Sequence, residues 1–475
     1  MSGTNLSRRS LFSLASAATV VAALPPILAS APAEAQQLTP DTPFDPAGLH
    51  RSTRLAFDFQ NLMMDAYATG STVRLSQSYS DNGLLSTAFT YDNAVSIHAY
   101  LADGSRASLD RARILGEGLL YAQANNFPFH DGRFAQAYFV NTPNPDGSGA
   151  YITPAAAPFY FYSSAVGDQA WAGMALAQLY HRTRDTQFLA GALLVANWIV
   201  SNTYNTLGAG GFSFGTTINM YNQSVPSTNG KSTEHNIDTF AFFTMLSTLT
   251  GDSKAVNGMS WSRLAHHARV FVAAMFNPAG PYFYTGTLGD QITINPSPIP
   301  EDVQTWSYMA FYDRTWRNTI DWALAHLETT DTASSPNTSL TGNQKIHGLV
   351  FDTASLTTTA DDPNAVWLEG TAHTAAALAA RVLRGGDTLP ELFADLTHAA
   401  GLLKYCEHAQ AILGVGQTVG GHPIPQGLGL VAASSMLDTG FGYTYGPSLH
   451  IGATGWYLIA ALAANPFQLG YRVIL

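Results

Sequence analysis

The sequence predicts an all-α fold, an (α/α)6 barrel in which six helical hairpins form a toroid with long loops at one end. Three observations lead there. Apolar residues recur at helical spacing in twelve segments, those segments alternate between two kinds, and the connections alternate between short and long. One kind of segment is amphipathic with a charged face and lies at about 49–68, 105–125, 185–202, 259–276, 315–328 and 389–409. The other is apolar on every side and rich in small residues, at about 92–103, 168–182, 234–250, 302–312, 366–384 and 449–464. A helix with no polar face must be buried all round, so the second kind forms an inner ring and the first an outer one.

The connections give the ring its polarity. Inner-to-outer joints are short, as in Ala102-Asp103-Gly104, Arg182-Thr183-Arg184 and Arg384-Gly385-Gly386. Outer-to-inner joints are long and aromatic, at 126–167, 203–233, 277–301, 329–365 and 410–448. All inner helices therefore start at one end, beneath a crown of long loops, and long loops in a compact domain are usually functional. A solenoid or plain bundle with decorative loops is the competing arrangement.

Composition narrows the partners. Hydrophobic residues make up 46% of the chain and charged ones only 12%, enough apolar material for a large core. The formal net charge of −11 argues against a nucleic-acid partner and makes neutral glycans a more natural ligand than polyanionic ones. The single Cys406 rules out an intrachain disulfide and sits in an apolar helical pattern, as a buried spectator thiol does. No cofactor or metal is implied, because the His residues are scattered and His266-His267 falls on an outer helix, where a surface position is expected. Phosphate-loop, nucleophile-elbow and zinc-protease motifs are missing, and Gly208-Ala209-Gly210-Gly211 reads as a turn.

The first 36 residues read as a twin-arginine export signal, distinct from the 37–475 catalytic domain. Ser7-Arg8-Arg9-Ser10-Leu11-Phe12 precedes an apolar run broken by Pro25-Pro26 and closed by Ala33-Glu34-Ala35, a small-residue cleavage pattern. The expected location is periplasmic or extracellular. No later stretch approaches the roughly 20 apolar residues needed to span a bilayer, so no membrane anchor is expected after cleavage.

Polar residues gather at the inner-helix starts. The simplest reading of Asp168 and Asp302 is capping of free backbone N–H groups. Asp92, flanked by Tyr91 and Asn93, is less ordinary. Glu234 is a poor cap behind Ser232-Thr233, and Asp238 stands one turn later on the same face. Like charges at that spacing repel unless something uses or neutralises them. Glu369 stands one turn before His373 on an Ala-rich helix. Cleaving a glycosidic bond needs two flanking carboxyls, one protonated to serve as acid and one acting as base or nucleophile. A carboxyl in an apolar cleft has the raised pKa such an acid needs. Glu234 is thus the candidate acid and Asp92 or Glu369 the candidate base, with Asp238 and His235 tuning or positioning Glu234. Asn236, His373 and the aromatic residues Trp171, Trp306, Trp367, Tyr443 and Tyr445 are candidate sugar contacts.

These phrases, Tyr91-Asp92-Asn93-Ala94, Ser232-Thr233-Glu234-His235-Asn236-Ile237-Asp238, Trp367-Leu368-Glu369-Gly370-Thr371-Ala372 and Tyr443-Thr444-Tyr445-Gly446-Pro447 to Gly455-Trp456, resemble exported bacterial members of the six-hairpin glycosidase superfamily. The resemblance implies a toroid with an open cleft and acidic catalysts at inner-helix starts. It leaves the sugar and the bond open. Two other functions fit the same ring. One is a polysaccharide lyase using His235, Asn236 and Tyr443 on a uronate. The other is a non-catalytic glycan-binding component of a polysaccharide system.

Overall fold

The computed structural model describes residues 46–67, 73–84, 86–140, 153–154, 161–219, 223–385 and 387–471. The export signal expected over 1–36 and Gly386 of the fifth joint lie outside these residues. Twelve α-helices occur among the described residues. The outer helices are α1 (Pro46–Asp65), α3 (Arg106–Ala124), α5 (Thr186–Thr203), α7 (Trp261–Ala274), α9 (Asn318–Leu327) and α11 (Leu389–Ile412). The inner ones are α2 (Thr90–Asp103), α4 (Val166–Thr183), α6 (Thr233–Thr250), α8 (Asp302–Phe311), α10 (Leu368–Arg384) and α12 (Ile451–Ala461).

The inner helices pack in chain order, α2 on α4, α4 on α6, α6 on α8, α8 on α10 and α10 on α12, and α12 returns to α2 to close the ring. Each inner helix turns back into its own outer partner, but α12 has none after it. Its partner is α1, the first helix among the described residues. The closure is specific: Gln60 Nε2 of α1 donates to the Ile451 carbonyl at 2.7 Å, and its Oε1 accepts from Ser96 of α2 at 2.9 Å.

The short joints close on left-handed residues. Gly104 (φ 71°) ends α2 and Gly251 (φ 62°) ends α6, where glycine adopts this conformation without strain; Arg184 (φ 64°) does the same work after α4 at some cost. Small residues on the inner helices let the ring close tightly. A Cβ on Gly173 of α4 would stand 2.2 Å from the Phe242 ring of α6, and one on Gly455 of α12 would stand 2.7 Å from Val95 of α2.

The long loops are organised into short antiparallel pairs over the inner-helix starts. Ser164–Ala165 pairs with Gly215–Ile218, which pairs with Ser224–Pro226; Thr87–Phe89 pairs with Ala137–Phe139. Single bridges such as Tyr79 to His450, Ser232 to Gly286 and Trp367 to Ala433 tie the crown to the helix ends. Among the described residues, no helix is long and apolar enough to cross a membrane.

Candidate active site

A repeated local device sets the inner-helix starts. In α2, α4 and α6 the fourth residue carries an amide that grips the backbone of the crown. Asn93 Oδ1 accepts from Ser76 N at 2.8 Å, Gln169 Oε1 from Phe134 N at 2.8 Å, and Asn236 Oδ1 from Phe212 N at 2.8 Å. Gln304, third in α8, accepts from Phe283 N at 2.8 Å. In α10 and α12 a hydroxyl does the same: Thr371 accepts from Leu349 N at 3.1 Å and Thr454 from Leu430 N at 2.9 Å. With the fourth position so anchored, the second and third positions of the first turn are the ones that meet at the mouth. They carry Tyr91 and Asp92, Asp168, Glu234, Asp302 at the head of α8, and Glu369.

Two banks of acidic groups face one another there. In the first, Asp92 Oδ2 meets His450 Nε2 at 3.0 Å, and His450 Nδ1 lies 3.8 Å from Glu369 Oε2. His450 is also the cap of α12, its Nδ1 accepting from Ala453 N at 3.2 Å. Only the ring form with hydrogen on Nε2 satisfies both contacts, so that N–H donates to Asp92. Tyr79 stacks flat on the His450 ring at 4.2 Å. Glu369 Oε1 accepts from the Tyr91 hydroxyl at 2.5 Å, which in turn accepts from Trp456 Nε1 at 2.8 Å. Close backbone approach helps: a Cβ on Gly452 would stand 2.7 Å from Asp92 Oδ1.

The second bank holds Glu234, Asp238, Asp168 and Asp302; of these Asp302 feels the His373 ring, which lowers its pKa against the larger effect of burial. Burial and then the charges of Asp302, Asp168 and Glu369 push the Glu234 carboxyl well above its usual range. Burial and the nearby Asp92 raise Asp168 to about 8, and burial with Glu301 raises Asp302 to about 7. The charged neighbours acting on Glu234 and Asp168 are all carboxylates. Glu234 and Asp168 are partly open to solvent, as a proton donor to a ligand must be.

The ring brings Glu234, Asp92 and Glu369 to one mouth, and their charges act on one another or on shared neighbours. Other expected site residues stand elsewhere. Asp238 is 0% exposed, and the charge of Glu234 one turn away raises its carboxyl after burial does. Asn236 is a buried crown anchor rather than a sugar contact, because both ends of its amide are used on Phe212 and Ser232. His235 is buried against the Phe214 ring at 4.5 Å, beside Gly167. Trp171 and Trp306 are likewise buried and offer no face to a sugar; they stack with Trp456 and Phe467 to fill the barrel axis. His373 is enclosed as well, packed on Trp456 at 4.3 Å. Trp367 is covered by Tyr445, whose ring lies parallel to it at 6.2 Å, whereas Tyr443 is 49% exposed at the rim.

Three further expectations also change. Asp168 makes no capping bond; α4 starts after Ala165 without a side-chain cap. Asp302 Oδ1 accepts only from the adjacent Val303 N at 2.6 Å, and α8 likewise has no side-chain cap. His267 is an anchor rather than a surface residue, accepting from or donating to Gly211 and Asn205 through Nε2. His450, Tyr91, Tyr79 and Glu301 were missed as site residues. The amide or threonine third or fourth in every inner helix is the signal that aligns the helix starts and points to Tyr91, Glu301 and His450.

No family model matches the chain, and no curated protein sequence does. Solved structures do. A sugar epimerase from a ruminal bacterium aligns with TM-score 0.54 and 12% identity over 90% of this chain and 97% of its own. A family 76 glycoside hydrolase, an alpha-mannanase of Bacteroides thetaiotaomicron, aligns with TM-score 0.53 and 13% identity over 87% of this chain and 95% of its own. A glycosidase variant in complex with glucose aligns with TM-score 0.54 and 12% identity over 88% and 98%. At these identities the likeness establishes the fold alone, an (α/α)6 barrel.

Proposed function

We propose that this chain is a glycoside hydrolase that cleaves an oligo- or polysaccharide by carboxylate acid–base catalysis. The observation that carries the reading is the contrast between the two banks. Burial and then the neighbouring carboxylates raise the pKa of Glu234, while Asp92 and Glu369 accept hydrogen bonds from His450 and Tyr91. Environments that drive two acids apart in this way assign acid and base. Glu234 then gives its proton to the leaving glycosidic oxygen. Asp92, whose Oδ1 has no hydrogen bond among the described residues, takes the proton of the attacking water. Glu369, beside it, supports the positive charge that develops on the sugar ring. Tyr443 and Tyr445 at the rim offer aromatic faces to the flanking sugar units.

The lyase reading loses two of its three residues, since Asn236 is spent on Phe212 and His235 is buried, and keeps only Tyr443 at the rim. The twin-arginine pattern adds an exported location to the proposal.

The test is digestion of a panel of neutral and anionic glycans with product analysis, then Glu234→Gln and Asp92→Asn on whichever glycan is cleaved. Each variant is expected to lose about 100-fold or more in kcat with an unchanged circular-dichroism spectrum. Wild-type-like turnover by either variant overturns that residue's assignment. Binding of a glycan without any cleavage overturns the enzymatic reading.

A further inference from the structure

Glu301 immediately precedes α8 and is 0% exposed, yet its side chain caps nothing. Its backbone is held in the crown, its N–H donating to the Phe351 carbonyl at 2.9 Å. Both carboxylate oxygens reach across to α10. Oε1 accepts from the Thr374 hydroxyl at 2.8 Å, and Oε2 faces His373 Nδ1 at 3.1 Å. The other ring nitrogen, His373 Nε2, makes no hydrogen bond among the described residues and lies at ion-pair distance, 3.5 Å, from Glu369 Oε1. A carboxylate buried without a partner is very costly, so this arrangement needs a cause.

The geometry supplies one. With a carboxylate oxygen in front of each nitrogen, a neutral imidazole would turn a lone pair toward one of them. Only the doubly protonated ring points a hydrogen at both. Burial pulls the His373 ring down, but the hydrogen bonds and charges of Glu301 and Glu369 outweigh it and push it up to about 9. The other groups around the ring are uncharged or carboxylic. The indoles of Trp306 (α8), Trp367 (crown) and Trp456 (α12) pack on it at 5.0, 5.1 and 4.3 Å. Asp302 of α8 feels its charge. Beyond Glu369 stand Tyr91 of α2, the cap residue His450 and Asp92.

We infer that Glu301 is a positioning residue: it holds His373 doubly protonated, and His373 in turn orients Glu369 and balances its charge beside Asp92. This rests on the reading of the mouth as a glycosidase acid–base site. A glutamine at 301 can still accept from Nδ1–H, but it no longer favours the charged ring. His373 Nε2 then presents a lone pair to Glu369 instead of a hydrogen, and Glu369 loses the positive charge beside it.

The experiment is 15N NMR of the His373 ring in the exported chain at pH 7.5, in wild type, E301Q and E301D, with H373Q to assign the signal. The expected result is two protonated ring nitrogens in wild type and E301D, and a neutral ring in E301Q. On a cleaved glycan, E301Q is expected to lower kcat more than it changes KM. It should also move the acid limb of kcat/KM upward by about one pH unit, a tenfold change in proton affinity, with E301D restoring the wild-type limb. A neutral ring in wild type, or a ring whose charge E301Q leaves unchanged, overturns the inference. So does a variant that melts at lower temperature but keeps the wild-type acid limb, since that is what a purely structural Glu301 would give. If no glycan is cleaved, the enzymatic reading fails on that result, while the ring titration still decides whether Glu301 controls His373.

Discussion

Neither carboxylate oxygen of Asp238 has a well-formed hydrogen bond among the described residues, although no part of the residue reaches solvent; the Trp171 indole alone acts on it as a donor, lowering its pKa against the stronger effect of burial. Burial first, then the charge of Glu234 one turn away and those of Asp302 and Asp168, raises this carboxyl well above its ordinary 3.8. The sign of the stability effect follows. A carboxyl whose folded pKa is raised contributes fully at pH below the unfolded value and loses that contribution as pH climbs toward the folded value. Each such group costs up to about 1.4 kcal/mol per pH unit above that point. Asp238→Asn removes the ionisation from the unfolded chain as well. It is therefore expected to melt like wild type near pH 4 and at a clearly higher temperature at pH 8, by thermal melts across that range. Equal melting temperatures at pH 8 would show that the carboxyl is solvated or paired. The Glu234–Asp238 spacing was visible in the sequence as a repulsive pair. Which member opens on the mouth was not, because both lie on one helix face and only the packing of α4 over that face buries Asp238.

At the scale of the element, the helices themselves were legible. The apolar segments at 234–250 and 302–312 are Thr233–Thr250 and Asp302–Phe311 in the fold, since periodicity and caps such as Ser232 are local properties. The fourth-position anchors were not legible as such, because an amide in an apolar helix looks equally like a ligand contact, and Asn236 was read that way. Their work is to satisfy crown backbone that would otherwise be buried without partners. Gln169 serves both groups of Phe134, accepting from its N–H and donating to its carbonyl at 3.1 Å. Gln169→Leu leaves the Phe134 N–H unpaired, while the carbonyl keeps the Ser164 hydroxyl at 2.7 Å, with an expected loss of about 1–3 kcal/mol in denaturant unfolding. A loss under about 0.5 kcal/mol would mean that the crown reorganises to satisfy Phe134 by other means.

For the whole molecule, ring closure depends on pairing α1 with α12. Ser52 of α1 meets the Tyr457 hydroxyl of α12 at 2.7 Å, and Gln60 spans α12 and α2. Removing residues 1–66 strips α12 of its outer cover and exposes its apolar face. The truncated chain is expected to lose its near-ultraviolet dichroism and its sharp thermal transition, whereas a truncated chain that melts cooperatively would show that the inner ring closes without α1. The sequence by itself determined the order and kind of the helices, the end of the ring that carries the crown, and the acidic character of that end, because periodicity, capping and loop length are written in neighbouring residues. Only the tertiary structure decided which acids are paired and which stand unpaired. The pairings that matter, Glu301 with His373 and Asp92 with His450, join positions 72 and 358 residues apart. The burial that shifts a carboxyl comes from every helix packed around it, and no local pattern carries that information.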